Sequence, residues 1–366
     1  MQNSALVKLL AALTILIVVL VVALYFLNRT APNSSVQVLQ MTNSFAQQTF
    51  HFHAPPVPRP QPPELDAAGQ PKIPREKVEA WLAKHNRNAM SLLAAFRALG
   101  DTNYLNEAAT NFPNNPQVEL AVLAHNEFPQ DRRKWLDLFK ASSPSNSLAN
   151  YLSAQDDFKN GNADAAVQEL LAASGKSQFD AFLTESRLDE EDLYLASGYS
   201  PLAAVTEGMT GMSRDDFPEL TTLKRLARGM RDLQKQYFDS GDANSVTNLA
   251  QMGMTLGNQL SSGGSGKYII NQLVGMATKQ IVLQQLNPNA SYDFLGGETP
   301  NQVMQEFKQQ QKSLFQIEQH FESIYPNLTQ DEMNGYIERS KIYGEIEAEK
   351  WVIQQHPPNP SQNGQQ

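Results

Sequence analysis

The chain has 366 residues, 41% of them hydrophobic and 18% charged, enough for one large or two modest folded units with cores of their own. Thirty-eight acidic against 29 basic side chains leave a net charge of −9, which argues against general nucleic-acid binding, because phosphate contacts need a basic surface. Cysteine is absent, so disulfide frameworks, thiolate zinc sites and cysteine nucleophiles are excluded.

After a short amino-terminal segment, residues 1–8, the run LLAALTILIVVLVVALYFL from Leu9 to Leu27 is 19 residues long and carries no charge. As a helix it measures about 28 Å, the thickness of a bilayer's hydrocarbon core, so a transmembrane helix is expected over 9–27. Val21 and Ala23 offer small residues to a signal peptidase. The run nevertheless exceeds the roughly 7–15 apolar residues of an ordinary signal peptide, which favours a retained signal-anchor over a secreted form released by cleavage. Lys8 and the amino terminus lie on one side of the run and only Arg29 lies close on the other, so the amino end is expected in the cytoplasm and the body in the periplasm or outside the cell.

Residues 28–75 contain APPVPRPQPPE at 54–64 and read as an extended proline-rich linker. Glu64 is the first acidic residue of the chain. His51 and His53 alternate without a third ligand, so no metal site is expected there.

From residue 76 the pattern becomes helical. Val78, Trp81, Leu82, His85, Ala89, Leu92, Leu93, Phe96 and Leu99 recur at three- and four-residue spacing, which predicts one amphipathic helix opened by Pro74 and stopped at Gly100. No alternating apolar run with hairpin punctuation follows, so the body is read as all-α.

A phrase then repeats. DDFKNGNADAAVQELLAAS at 156–174 and KQYFDSGDANSVTNLAQMG at 235–253 share an aromatic (Phe158, Phe238), a glycine (Gly161, Gly241), a cap (Asn162, Asp242) and an alanine (Ala163, Ala243). FRALGD at 96–101 is a weaker copy. Each reads as a helix, a glycine stop, a capping side chain and a second helix rich in small residues. NFPNNPQVELAVLA aligns with SPSNSLANYLSAQ, which sets a helical pair at roughly 30–35 residues.

The stretch 148–174 resembles a tetratricopeptide repeat, with Ala154 where the two helices cross, Gly161 at the turn, and Ala166, Leu170 and Ala173 on the second helix. Ala108 and Pro113 match the closing alanine and proline of the preceding unit. Gln178 stands where that proline would fall in the best copy, Asp157 replaces an aromatic, and Val246 and Gly253 replace alanines in the later one. The resemblance covers about residues 100–180 and, more loosely, 220–260; it implies stacked helices whose concave surface binds other polypeptides without catalysis, and 76–297 as a whole is read as an α-solenoid of helix-turn-helix repeats.

Residues 298–355 predict a C-terminal helical hairpin. Pro300 opens its first helix, bearing Val303, Phe307, Leu314, Ile317, Phe321 and Ile324, and Pro326 closes it. Thr329 and Glu332 have capping-box spacing for the second, bearing Met333, Tyr336, Ile337, Tyr343, Ile346 and Trp351. The tail 356–366 is polar and proline-broken, and is expected to be disordered.

SSGGSGKY at 261–268 lacks the first glycine of a phosphate loop and reads as an inter-helix loop. Glu322, Ser323 and Tyr325 echo the Glu-Ser pair of lytic transglycosylases, but the downstream segment that shapes their sugar cleft is missing. The acids Asp189, Glu190, Glu191 and Asp192 lack a calcium-loop pattern and are expected to start a helix. Lys224, Arg228, Arg231 and Lys235 recur at i, i+4, i+7 and i+11 and mark a basic helix face, the candidate binding site for an acidic partner, anionic lipid or cell-wall polymer. Its alternative is a solvated face paired with Glu219, Asp232, Asp239 or the acids at 189–192.

Together these features predict a membrane-anchored, tetratricopeptide-like scaffold that binds proteins or peptides in envelope assembly, secretion or quality control. Neither a cofactor nor catalysis is expected of it. The alternative is an enzyme acting on cell-wall polymer through an unrecognised site, which a deep pocket with facing carboxyl groups of raised pKa would favour, whereas a shallow groove without such groups favours the scaffold.

Overall fold

A computed structural model of the chain describes residues 73–201, 203–205, 207 and 218–357. The apolar segment 9–27, nearly all of the proline-rich linker and most of the polar tail lie outside the described residues. Those described are all-α, without a strand, and no helix among them is long and apolar enough to cross a membrane.

The helices are α1 (Arg75–Lys84), α2 (Ala89–Leu99), α3 (Thr102–Asn111), α4 (Pro116–His125), α5 (Arg132–Ser142), α6 (Leu148–Lys159) and α7 (Ala163–Ser174). There follow α8 (Leu183–Ala196), α9 (Pro218–Asp239), α10 (Ala243–Leu260), α11 (Ile269–Leu283), α12 (Pro300–Ile324), α13 (Gln330–Tyr343) and α14 (Glu345–Gln355).

Local chemistry sets most of these boundaries. Gly100, Gly161 and Gly241 all take positive φ, the conformation that stops a helix at little steric cost. Asp101 and Asp242 then cap the following helices through backbone N–H groups of Asn103 and Ser245. The glycine stop is therefore present in all three copies and the side-chain cap in two, since Asn162 precedes α7 without a capping hydrogen bond.

The expected single helix from Val78 to Leu99 is divided in two. Asn86 and Arg87 adopt left-handed φ of 54° and 45°, and the Asn88 side chain accepts from the Ser91 N–H to start α2. The break is held from outside, because Arg87 donates 2.6 Å hydrogen bonds to both Glu79 and Glu107.

From α2 to α7 the chain stacks as antiparallel pairs, α2 with α3, α4 with α5, and α6 with α7, each packing on the next. Ala154, Ala166, Leu170 and Ala173 are fully buried where α6 meets α7. Gln178, at the position of the missing proline, has a use for its N–H. It bonds the Ser145 carbonyl, while the Gln178 carbonyl accepts from the Ser147 N–H at 2.8 Å.

The stacking order then changes. α8 turns back onto α1 and α2, and α9 lies against α6 and touches α4, so both run along the face formed by the first helix of each pair. α9, α10 and α11 pack mutually, most tightly where Gly257 meets Gly275. A Cβ on Gly257 would sit 2.7 Å from the Gly275 carbonyl oxygen, so only glycine permits that approach.

At the carboxyl end three helices replace the expected hairpin of two. Gly344, with φ of 95°, separates α13 from α14, and α14 folds back against both α13 and α12. The glycine is sterically required, because a Cβ there would lie 2.5 Å from that of Lys267. Both capping boxes are formed, Thr299 with Gln302 and Thr329 with Glu332.

Candidate functional site

The four basic residues at 224–235 do not form one open cationic face. α9 is enclosed by α6 on one side and by α10 and α11 on another, which carries Lys224 inward with Leu223 until it is 5% exposed. Arg228 is half-buried. Arg231 Nη2 lies 2.7 Å from Asp232 Oδ1, and Lys235 Nζ lies 2.8 Å from Asp239 Oδ2. Two of the four cations are thus met by near neighbours on their own helix.

The acids at 189–192 lie in the middle of α8 rather than starting it, and three of them reach different elements. Glu190, 1% exposed, accepts from Arg97 Nε on α2. Asp192 accepts from Trp81 Nε1 on α1 at 2.8 Å and lies 3.3 Å from His85 Nε2. Glu191 accepts from Lys341 Nζ on α13 at 2.6 Å. Asp189 stays largely out of water, and that burial pushes its carboxyl up despite the nearby Arg97 guanidinium. One turn of α8 therefore ties the amino-terminal pairs to the carboxyl-terminal helices.

Beside Arg97 and Glu190 the covering of the stacked pairs is incomplete. A cleft of about 90 Å³ remains between α2, α4, α8 and the start of α9. Phe96, Leu120, Ala121 and Ala124 make its wall apolar, and Arg97 with Glu190 forms its polar side. The exposed ring of His125 packs edge-on against Phe96, with centroids 4.8 Å apart. Phe182 holds the opposite side from a left-handed backbone position, φ 56°. The volume falls below the roughly 150 Å³ that accommodates benzene, so the cleft suits one aliphatic side chain. Sequence periodicity did not point here, since the cleft exists only because α8 returns to α2.

A second polar group lies near the carboxyl end. Glu318 and Glu322 on α12 face Glu345 and Glu349 on α14. Burial pushes Glu322 up to about 7, and burial with the neighbouring Glu345 and Glu322 pushes Glu318 up to about 8. Glu349 is 2% exposed and is raised by burial first and then by the other three carboxyls. Ser323, by contrast, donates to the His320 carbonyl of its own helix. Among the described residues no three histidine, aspartate or glutamate side chains converge as metal ligands.

No known family model, curated protein or solved structure matches the chain.

Proposed function

We propose that the chain is a membrane-anchored helical scaffold, tetratricopeptide-like in its stacked pairs, that binds a polypeptide outside the cytoplasm through the cleft between α2, α4 and α8. The observation that carries this reading is the cleft itself, an apolar notch bordered by the Arg97–Glu190 ion pair on a face otherwise covered by α8 and α9. An apolar pocket with a few fixed polar groups is the form in which proteins hold an anchoring side chain. The anchor rests on the uncharged run from Leu9 to Leu27. Tethering raises the effective concentration of such a scaffold near membrane partners, so a shallow cleft suffices.

The test is to fill the cleft. Ala121 lies half-buried on its wall, and Ala121→Leu places an aliphatic group in the space a partner would enter. Polypeptides that co-purify with the wild-type chain from native membranes should be lost, while helicity and melting temperature stay close to wild type. Retention of the same polypeptides by a folded Ala121→Leu protein would reject the cleft as the binding site.

A further inference from the structure

The four carboxyl groups between α12 and α14 have no counter-charge at hand. Among the described residues none of Glu318, Glu322, Glu345 and Glu349 has a lysine, arginine or histidine nitrogen within 4.0 Å. The nearby cations are engaged elsewhere, Lys341 with Glu191 and Lys267 with the Ile342 carbonyl. Glu345 alone receives help, a 3.0 Å hydrogen bond from the Ile269 N–H at the start of α11 and the field of Arg187 on α8. Arg187 is 3% exposed, and its Nε and Nη2 have no hydrogen-bond partner. Glu349 Oε2 is likewise buried and unpartnered. The remaining titratable groups facing the cluster are phenols: Tyr336 on α13, Tyr325 after α12 and Tyr268 before α11.

We infer that α14 is a proton-controlled latch, closed on α12 while Glu318, Glu322 and Glu349 hold their protons and released, about the Gly344 junction, when they lose them. Glu349 is buried with its Oε2 unpartnered while Glu318, Glu322 and Glu345 are half-buried, so ionising them together sets several like charges around a buried carboxylate with one partial counter-charge. Protonated, the same groups are neutral and compatible with the apolar contacts of Phe321, Ile337, Ala348 and Val352 around them.

The direction of the pH effect follows from linkage. Each of these carboxyls binds its proton more tightly in the closed form than an exposed glutamate does. The closed form is therefore favoured most below the usual carboxylate range and loses that advantage as pH rises through about 7 for Glu322 and about 8 for Glu318. Glu345 is raised as well, by burial first, with the Ile269 N–H hydrogen bond and the Arg187 guanidinium each working against that rise.

The absence of cysteine makes the latch directly measurable, since any introduced thiol is the only one in the chain. Ala348→Cys places it on α14 at a site with 0% exposure, Gln354→Cys on the exposed side of the same helix, and Ala154→Cys in the buried α6–α7 contact. Labelling by methyl methanethiosulfonate is followed in the full chain from pH 6 to pH 9, with rates divided by that of Gln354→Cys to remove thiolate ionisation. The Ala348→Cys ratio is expected to rise by about tenfold or more while the Ala154→Cys ratio stays flat. Adding Glu349→Gln, or Glu318→Gln where the first does not fold, should reduce the rise by about threefold or more. A flat Ala348→Cys ratio, a parallel rise at Ala154→Cys, or a rise undiminished by glutamine would each overturn the latch.

Discussion

The outer edge of the Trp351 indole presses on Gly335, with its Cη2 2.5 Å from where a Cβ on that glycine would stand. The guanidinium of Arg339, one turn further along α13, sits 4.6 Å from the ring centroid. The two residues are 16 positions apart and would be about 24 Å apart along an unbroken helix. Their contact requires the reversal at Gly344. Gly335→Ala should therefore destabilise the carboxyl-terminal helices by about 1 kcal/mol, the overpacking outweighing alanine's helix preference. Chemical denaturation followed by Trp351 fluorescence measures it, and a stabilised Gly335→Ala protein would show that the ring does not occupy this position.

The Arg97–Glu190 pair should be expensive to break on one side only. Glu190 is 1% exposed and Arg97 is its ion-pair partner on α2. Arg97→Ala should lower stability by about 3 kcal/mol, whereas Arg97→Met combined with Glu190→Leu should restore most of the loss. Thermal melting of the two variants is the check, and equal loss in both would mean that the pair contributes through packing alone.

Glycine at 275 should be irreplaceable. A Cβ there would press on the Ser261 side chain and on the Gly257 carbonyl, which is backbone and cannot swing aside. Gly275→Ala is expected to cost about 2 kcal/mol, seen as a fall in the denaturation midpoint without a change in slope. A neutral outcome would place α10 and α11 further apart.

The Thr329–Glu332 capping box gives the hairpin an opposite response to acid. The Thr329 hydroxyl and N–H both donate to Glu332, holding that carboxyl below the usual glutamate range. This contribution is present above the ordinary glutamate pKa and is lost as pH falls through the lowered one. Thr329→Ala should cost about 1 kcal/mol at neutral pH and progressively less in acid, as read from unfolding curves at several pH values. An unchanged cost in acid would exclude the carboxylate from the cap.

What the sequence disclosed was local. Gly161 with Asn162 and Gly241 with Asp242 act within a few residues of themselves, so a turn can be read from its own letters. The helix break at Asn86 and Arg87 was hidden, because the left-handed positions there are occupied by non-glycine residues and held by Glu79 and Glu107 from other turns. Gly344 was visible as a letter, but its role depends on Lys267 lying close in space. The cleft and the acids of α8 were the least legible, since Glu190 finds Arg97 across 93 positions and Glu191 finds Lys341 across 150. Likewise, Lys224 looks exposed on a helical wheel and is buried because α9 packs against α6.

The most direct test of the scaffold reading is photo-crosslinking in intact cells from a benzophenone side chain at Gln117, which lines the cleft, with one at exposed Lys134 on α5 as reference. A polypeptide of discrete mass joined to position 117, absent from position 134 and lost when Ala121→Leu fills the cleft, is the result expected. The absence of any polypeptide joined at 117, or one that persists with the cleft filled, would contradict it.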